Sequence, residues 1–378
     1  MTHKHPKPHV ATLQLRGSSP YEIGLQHGQL AKEQIHNNIK TYTTFFQETA
    51  GMKSWEKAKG RSKVFVPTLE RLYPEILEEI QGIADGAQLD EEDILALNVR
   101  SEIGLTNYSN TPKETFPTIR SPDGSTVILA QNWDWLELHD GIVIMDIITP
   151  DGKTRLQFLN EAELVGKIGV NSHGVGICMN ALRCGALSLD RLPTHIMCRR
   201  VLHCGIARAV RWCLYIQSRH RRCGGKFATV EISPNGLSVI HPLNEGNSSK
   251  DIGKGRGFVA HTNHVMTPHT AFSRGPIYDR PAPNSFSRLE RITELTEKDL
   301  HNMKNFTFES VIEQLKDQKG TPVSICRDRP ANATGMERMT TLATVSTEFD
   351  IVNKKVTKTQ ITIGRQCEDG LQLVELAF

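Results

Sequence analysis

No cysteine occurs before Cys178, and none of the eight cysteines forms a CxxC pair. The second absence removes the usual spacing of a structural zinc site. No stretch approaches the roughly 18 apolar residues of a membrane span. Charge of one sign is lacking too. A formal net charge of +3 over 378 residues is too balanced for a nucleic-acid footprint. Residues 1–10 are polar and lack the apolar run of a secretory signal. A cytoplasmic protein with reduced thiols is therefore expected. His3, His5 and His9 crowd that segment, which reads as a flexible tail over residues 1–16 rather than a metal site.

What is present is enough for a large core: 38% of the residues are hydrophobic. Ser19-Pro20-Tyr21-Glu22 carries a cap, a first-turn proline and a capping-box acid, so a helix starts there. Gly24 and Gly28 fall on one face of it and allow close packing against another element. Residues 72–87 place Ile76, Ile80, Ile83 and Ala87 at helical spacing, and Asp90 caps a further short helix. Beyond Thr106 the pattern changes to strands at 126–130, 142–148 and 155–159. Hairpins follow at 168–179 and 227–240, then a helix over 285–318 and late strands at 341–346 and 359–363. Helices followed by antiparallel hairpins predict an α+β protein of stacked sheets covered by helices, with one domain over 17–378.

One segment carries unusual chemistry. Gln131-Asn132-Trp133-Asp134-Trp135 follows an apolar strand directly. An acid at a strand end, walled by indoles, suits work on a substrate. A strand-end cap with two core tryptophans reads the same residues equally well.

Several segments now resemble one family, in order. They are Ser19 to Gly28, Tyr73 to Gly86, Leu97-Asn-Val-Arg-Ser-Glu102, Gln131-Asn-Trp-Asp134, Glu161 to Val170, His261-Thr-Asn-His264 and Ser324-Ile-Cys-Arg327. From about Gly17 onward the chain is similar to the acyl-coenzyme A:6-aminopenicillanic acid acyltransferase family, also called isopenicillin N acyltransferases. The resemblance implies an N-terminal-nucleophile hydrolase fold, a four-layer αββα sandwich. It implies a precursor that cuts itself near residue 113 into two fragments that remain a heterodimer. The new N-terminal cysteine then uses its own α-amine as base, attacks a thioester or amide, and passes the acyl group to a small amine or water. No cofactor is implied beyond acyl-CoA as co-substrate, and a role in secondary-metabolite biosynthesis follows by analogy.

Residue by residue, Asp134 matches the acid that orients the nucleophile's amine, and Asn263 the oxyanion-hole donor. Ser324 and Arg327 match the motif's serine and arginine, and Trp135 and Leu136 the acyl-pocket lining. Asn263 could instead simply cap a turn, and Ser324 and Arg327 could be a buried hydrogen bond and ion pair. His261 and His264 lack a third ligand, so no metal is expected. The chain ends Glu375-Leu-Ala-Phe378, which is not the peroxisomal tripeptide of some relatives.

The departure lies at the nucleophile. The family's Asp-Gly-Cys-Thr motif falls where this chain has Glu114-Thr115. Thr115 or Thr111, either one with a register shift of one to three residues and without the motif's preceding glycine, is the candidate threonine nucleophile. Ser125 imitates the motif in Asp123-Gly124-Ser125-Thr126, but lies in a hairpin turn. Cys178 and Cys326 read as core thiols. A catalytically impaired member acting as a binding or accessory protein is the alternative. Residues 111–120 and 203–223 are compositionally odd between matching flanks, as a reading-frame slip would leave them. A basic patch for coenzyme A phosphates is the other reading of the second.

Overall fold

The computed structural model describes residues 10–104, 115–136, 140–182, 188–204, 213–217, 227–233, 236–243, 254–255, 257–267, 283–301, 307–334 and 337–378. Strand β1 (Val10–Arg16) leads into helices α1 (Pro20–Leu30), α2 (Lys32–Ala50), α3 (Trp55–Ser62), α4 (Val66–Leu72), α5 (Glu75–Ala87), α6 (Glu91–Asn98) and α7 (Arg100–Gly104). Strands then dominate: β2 (Phe116–Arg120), β3 (Thr126–Leu136), β4 (Ile142–Ile148), β5 (Arg155–Glu161), β6 (Ile168–Asn171) and β7 (Gly176–Asn180). After α8 (Thr194–Cys204) come β8 (Cys213–Gln217), β9 (Phe227–Ser233), β10 (Gly236–Ile240), β11 (Lys254–Gly255) and β12 (Phe258–His261). Helices α9 (Pro283–His301) and α10 (Phe308–Leu315) precede β13 (Met339–Asp350), β14 (Lys355–Ile363) and β15 (Gln372–Leu376).

The strands form two sheets, ordered β1-β4-β5-β6-β7-β8-β9-β10 and β11-β12-β2-β3-β13-β14-β15. Among the described residues every pairing is antiparallel except β1 with β4. Leu129 and Phe349 of the second sheet meet the backbone of Gly176 in the first, so the sheets stack face to face. Gln131 bridges them: its amide donates to the Met179 carbonyl at 2.6 Å and its oxygen accepts the Met179 N–H at 2.9 Å. Buried Ile119, Ile128, Ala130 and Phe258 on the far face of the second sheet pack against Leu289 and Ile292 of α9 and Val311 and Leu315 of α10. Helices α1, α5 and α8 cover the first sheet. Buried Arg199 of α8 binds Glu79 of α5 at 2.9 Å, and buried His27 of α1 lies against the carbonyl of Ala162. The layers are helix, sheet, sheet, helix, the αββα sandwich that the resemblance implies.

The start of α1 is capped as its sequence predicts, with Ser19 Oγ accepting the Glu22 N–H at 3.2 Å. Glu22 reaches one residue further back than a capping box requires and takes the N–H of Ser18. The α6 cap is reciprocal, with the Asp93 carboxylate accepting the Asp90 N–H at 3.0 Å.

Three expectations need correction. Residues 10–16 are no tail: they pair in parallel with β4 along their whole length, and Leu13 and Leu15 are buried. The alternation of Val10 to Arg16 is the signal of that strand. Helix 285–318 is two helices, and Thr307 caps the second by accepting the Ser310 N–H. Finally, the strand at 126–130 does not stop there. It continues to Leu136, because Thr341 to Met339 supply hydrogen-bonding partners for Asp134 to Leu136. Thr111, Glu114 and most of 203–223 lie outside the described residues. Among the described residues no helix is long and apolar enough to cross a membrane.

Candidate active site

Because β3 is continuous through the amide-indole segment, its pleat sends alternate side chains to opposite faces. Gln131, Trp133 and Trp135 point between the sheets. Asn132 and Asp134 point toward the α9–α10 layer. The acid is therefore not walled by its neighbouring indoles, and the two sides of the strand make two separate polar clusters.

On the helix-facing side, Asn132 donates to the carbonyls of Leu315 and Ile325 at 2.9 and 3.0 Å and accepts from Thr344 Oγ1 at 2.6 Å. It thereby fixes the 324–327 loop to the sheet. Asp134 Oδ1 accepts from Thr341 Oγ1 at 2.6 Å, and Thr341 Oγ1 accepts the Arg327 N–H at 2.9 Å. Asp134, Arg327 and Ser324 are buried. Burial pulls the Arg327 guanidinium below its ordinary value, and the charges of Asp134 and Asp328 oppose this. Ser324 Oγ donates to the Cys326 carbonyl at 2.6 Å, so it shapes the loop that carries Arg327.

Thr115 occupies the same face. It bridges to Asn132, and its carbonyl accepts the Asn132 N–H at 3.1 Å. Asp134 is two residues further along, roughly 7 Å of strand away. Arg288 of α9, fully buried, donates to Thr115 Oγ1 at 2.7 Å and to Asn263 Oδ1 at 3.0 Å. Asn263 gives its N–H to Ser285 Oγ at 2.8 Å and its side-chain amide to the Ala181 carbonyl at 3.2 Å. The structure thus joins Thr115 to Asn263 through Arg288, and Asp134 to Arg327 through Thr341.

The histidines beside Asn263 are engaged with protein groups. His261 Nε2 lies 3.1 Å from Glu231, and His264 Nδ1 lies 2.8 Å from Ser285 Oγ. Burial, with the charges of His261 and Arg288, holds His264 down at about 4. Among the described residues no three His, Cys, Asp or Glu side chains are placed to hold a metal. Ser125 sits in the exposed turn and donates to Asp123 at 2.8 Å. Cys178 and Cys326 are buried.

The other face of β3 holds Trp135, expected to line an acyl pocket, and a cluster of charges that sequence reading gave no role. Trp135 packs on Phe45, and Leu136, half-buried, joins the same core. The pleat thus separates Trp135 from Asp134, whereas Leu136, two residues beyond Asp134 and paired with Met339, has the same parity as the acid. The Lys167 ammonium sits 3.8 Å from the Trp133 ring centre and 2.9 Å from Glu161. Glu161 also takes the Arg100 guanidinium at 2.5 Å and the Tyr42 hydroxyl. Arg100 continues to Glu163 at 2.9 Å, and Asn38 donates to that carboxylate at 2.5 Å.

Burial, with the repulsion of Glu161, raises the Glu163 carboxyl to about 7 against Arg100's opposing charge. Unfolded, Glu163 loses its proton near 4.5, so the native state holds the extra proton between those values. This contribution to stability is complete below the unfolded value and is lost as pH rises through about 7. Glu163→Gln is expected to flatten the decline in urea-unfolding free energy between about pH 5 and about pH 8. An unchanged slope would assign it to other groups.

Arg288 was missed although a signal existed. It precedes Ile292 by one helical turn on the buried stripe of α9, where a charge is out of place. Thr341 had no such signal, since its role depends on strand register.

A sequence model of the family described as acyl-coenzyme A:6-aminopenicillanic acid acyl-transferase matches residues 119–360, more than half of the chain. The acyl-coenzyme A:6-aminopenicillanic-acid-acyltransferase 40 kDa form of Emericella nidulans is 28% identical over 353 residues, covering 92% of this chain and 91% of that protein. An uncharacterized protein of Archaeoglobus fulgidus is 30% identical over 172 residues, 40% of this chain and 25% of its own. Among solved structures, a mutant of conjugated bile acid hydrolase from Clostridium perfringens aligns at TM-score 0.41 and 11% identity, over 70% of this chain and 92% of its own. Penicillin V acylase from Agrobacterium tumefaciens aligns at TM-score 0.34 and 12% identity, over 70% and 86%.

Proposed function

The chain belongs to the acyl-coenzyme A:6-aminopenicillanic acid acyl-transferase family, and on that premise we propose that it moves an acyl group from an acyl-CoA thioester or amide to a small amine or water, with Thr115 as nucleophile. The observation that carries this reading is the Arg288 fork between Thr115 Oγ1 and Asn263 Oδ1. A guanidinium 2.7 Å from a hydroxyl oxygen favours the alkoxide that an attacking threonine must approach. In the proposed sequence, Thr115 Oγ attacks the preceding carbonyl, the peptide shifts to an ester, and water releases residues 1–114. The freed α-amine, oriented by Asp134, takes the hydroxyl proton for later turnovers. The acyl-enzyme is an ester on Thr115, the thiol or amine leaves with that proton, and the acceptor completes the exchange. The two fragments stay together as a heterodimer, because β1 and β4 lie on opposite sides of the cut and pair throughout.

Expression should therefore give two bands in place of the 42.3 kDa chain, with Thr115 at the new N-terminus. Thr115→Ala should leave one band and no thiol release from acyl-CoA. Cleavage that persists in this variant would remove Thr115 from the role. Asp134→Asn should keep the fold and lose at least tenfold in turnover, about 1.4 kcal/mol of barrier. An unchanged turnover would confine Asp134 to structure. A role in secondary-metabolite biosynthesis is tested by comparing metabolites of a deletion strain and its parent.

The absence of any cysteine before Cys178 favours a second reading, a binding or accessory protein that keeps the fold without turnover. A single uncut chain that forms no product with acyl-thioesters would select it.

A further inference from the structure

Cys326 and Cys367 come from segments 41 residues apart and meet at 2.8 Å, sulfur to sulfur, with the Cys326 thiol donating to Cys367. Both are free thiols; Cys326 is buried and Cys367 is partly exposed, so an oxidant in solvent reaches only the second. Arg365 stands beside them. It donates to the Arg327 carbonyl at 3.0 Å and pairs with Asp328 at 3.1 Å and Glu368 at 3.0 Å. The Cys326 hydrogen bond, helped by the Arg365 charge, brings the Cys367 thiol down to about 7 against the effect of burial. Cys198 makes the contrast, since burial pushes its thiol up to about 12. A reactive thiol is one that is both ionised and accessible, and a partner thiol within reach decides what its oxidation becomes.

We propose that Cys326 and Cys367 form a reversible redox-modification site, oxidised by hydroperoxides to an intramolecular disulfide. The Cys367 thiolate attacks a peroxide oxygen, breaking the O–O bond and leaving a sulfenic acid, with one water formed. The Cys326 sulfur then attacks the sulfenic sulfur and a second water leaves. Two thiols and one hydrogen peroxide give one disulfide and two waters. A dithiol returns the pair to its reduced form by exchange.

The crosslink would tie the 324–328 loop to the segment between β14 and β15. That loop carries Arg327, whose N–H binds the threonine that binds Asp134. The redox state is thus set one residue from the candidate active site, and the chemistry of the pair does not depend on the acyl-transfer reading.

The test treats the full native chain with hydrogen peroxide, alkylates remaining thiols, and maps peptides without reduction. The expected result is loss of two alkylatable thiols, recovery of a peptide joining Cys326 to Cys367, and reversal by dithiothreitol. Cys326→Ser should leave Cys367 as a sulfenic acid that dimedone traps, and Cys367→Ser should keep Cys326 alkylatable after unfolding. The idea is overturned if Cys367 is oxidised in the native chain without joining Cys326, or if both remain alkylatable while other cysteines react. The wild-type map decides alone should either variant fail to fold.

Discussion

Gly28→Ala is expected to destabilise the protein by about 3 kcal/mol, the upper end of the ordinary cost of overpacking, and Gly82→Ala by a similar amount. Alanine is the better helix former by about 1 kcal/mol, so propensity alone predicts the opposite sign. The reason lies in how α1 and α5 cross. A Cβ on Gly24 or Gly28 would fall well inside 3.0 Å of the Glu79 or Ile83 carbonyl, and one on Gly82 or Gly86 equally close to the Tyr21 or Leu25 carbonyl. These obstacles are backbone, which cannot rotate away as a side chain can. Two glycine pairs, each one helical turn apart, thus let the helix backbones touch. Gly60 in α3 is the control: it is exposed, and nothing lies within 4 Å of its added Cβ. Gly60→Ala should stabilise by about 0.5–1 kcal/mol. Urea-unfolding midpoints of the variants check both signs. Equal small effects at Gly28 and Gly60 would mean that the helices separate at little cost.

This contact was half legible in the sequence. The spacing of Gly24 and Gly28 announced a close-packed face, but their partners Gly82 and Gly86 sit in a helix that reads as an ordinary amphipathic one. Local signals of this kind served well elsewhere. The turn at Asp123-Gly124 and the hairpins of β6–β7 and β9–β10 fall where alternation and turn residues place them. The failures were of a different kind. Strand β1 looked like a tail because its partner β4 lies beyond the helical region, and parallel pairing leaves no turn signal between the two. Strand β3 looked as if it ended at Ala130 because polar and aromatic residues replace aliphatic ones beyond it. Only the partner strand β13 shows that hydrogen bonding continues.

The same limit governs the candidate site. Asp134, Arg327, Thr115 and Asn263 were picked out by residue type and motif. The connections among them were not, because each runs through a residue with no motif of its own. Thr341 joins Asp134 to Arg327, and Arg288 joins Thr115 to Asn263. Pleating, a period-2 property that any strand assignment implies, also separates Trp135 from Asp134. Treating the segment as a strand end discarded that information.

Arg100→Ala is expected to be the most damaging single substitution at the other face of β3, costing about 3–5 kcal/mol. Arg100 is buried and binds Glu161 at 2.5 Å and Glu163 at 2.9 Å while lying 4.7 Å from the Tyr42 ring centre. Two carboxylates in one dry pocket repel each other, and the burial that raises Glu163 to about 7 is already opposed by this guanidinium. Without the guanidinium, Glu161 keeps the Lys167 ammonium, whereas Glu163 keeps the neutral Asn38 amide in place of a cation. The loss should therefore depend on pH. At about pH 8 Glu163 must either stay ionised without its cation or bind a proton at a cost, whereas at about pH 5 it is already protonated in the folded state. The difference in unfolding free energy between wild type and Arg100→Ala should shrink toward the lower pH. Adding Glu163→Gln to Arg100→Ala should recover part of the stability at the higher pH. A loss that is the same at both pH values would attribute the cost to the cavity left by the side chain rather than to the uncompensated charge.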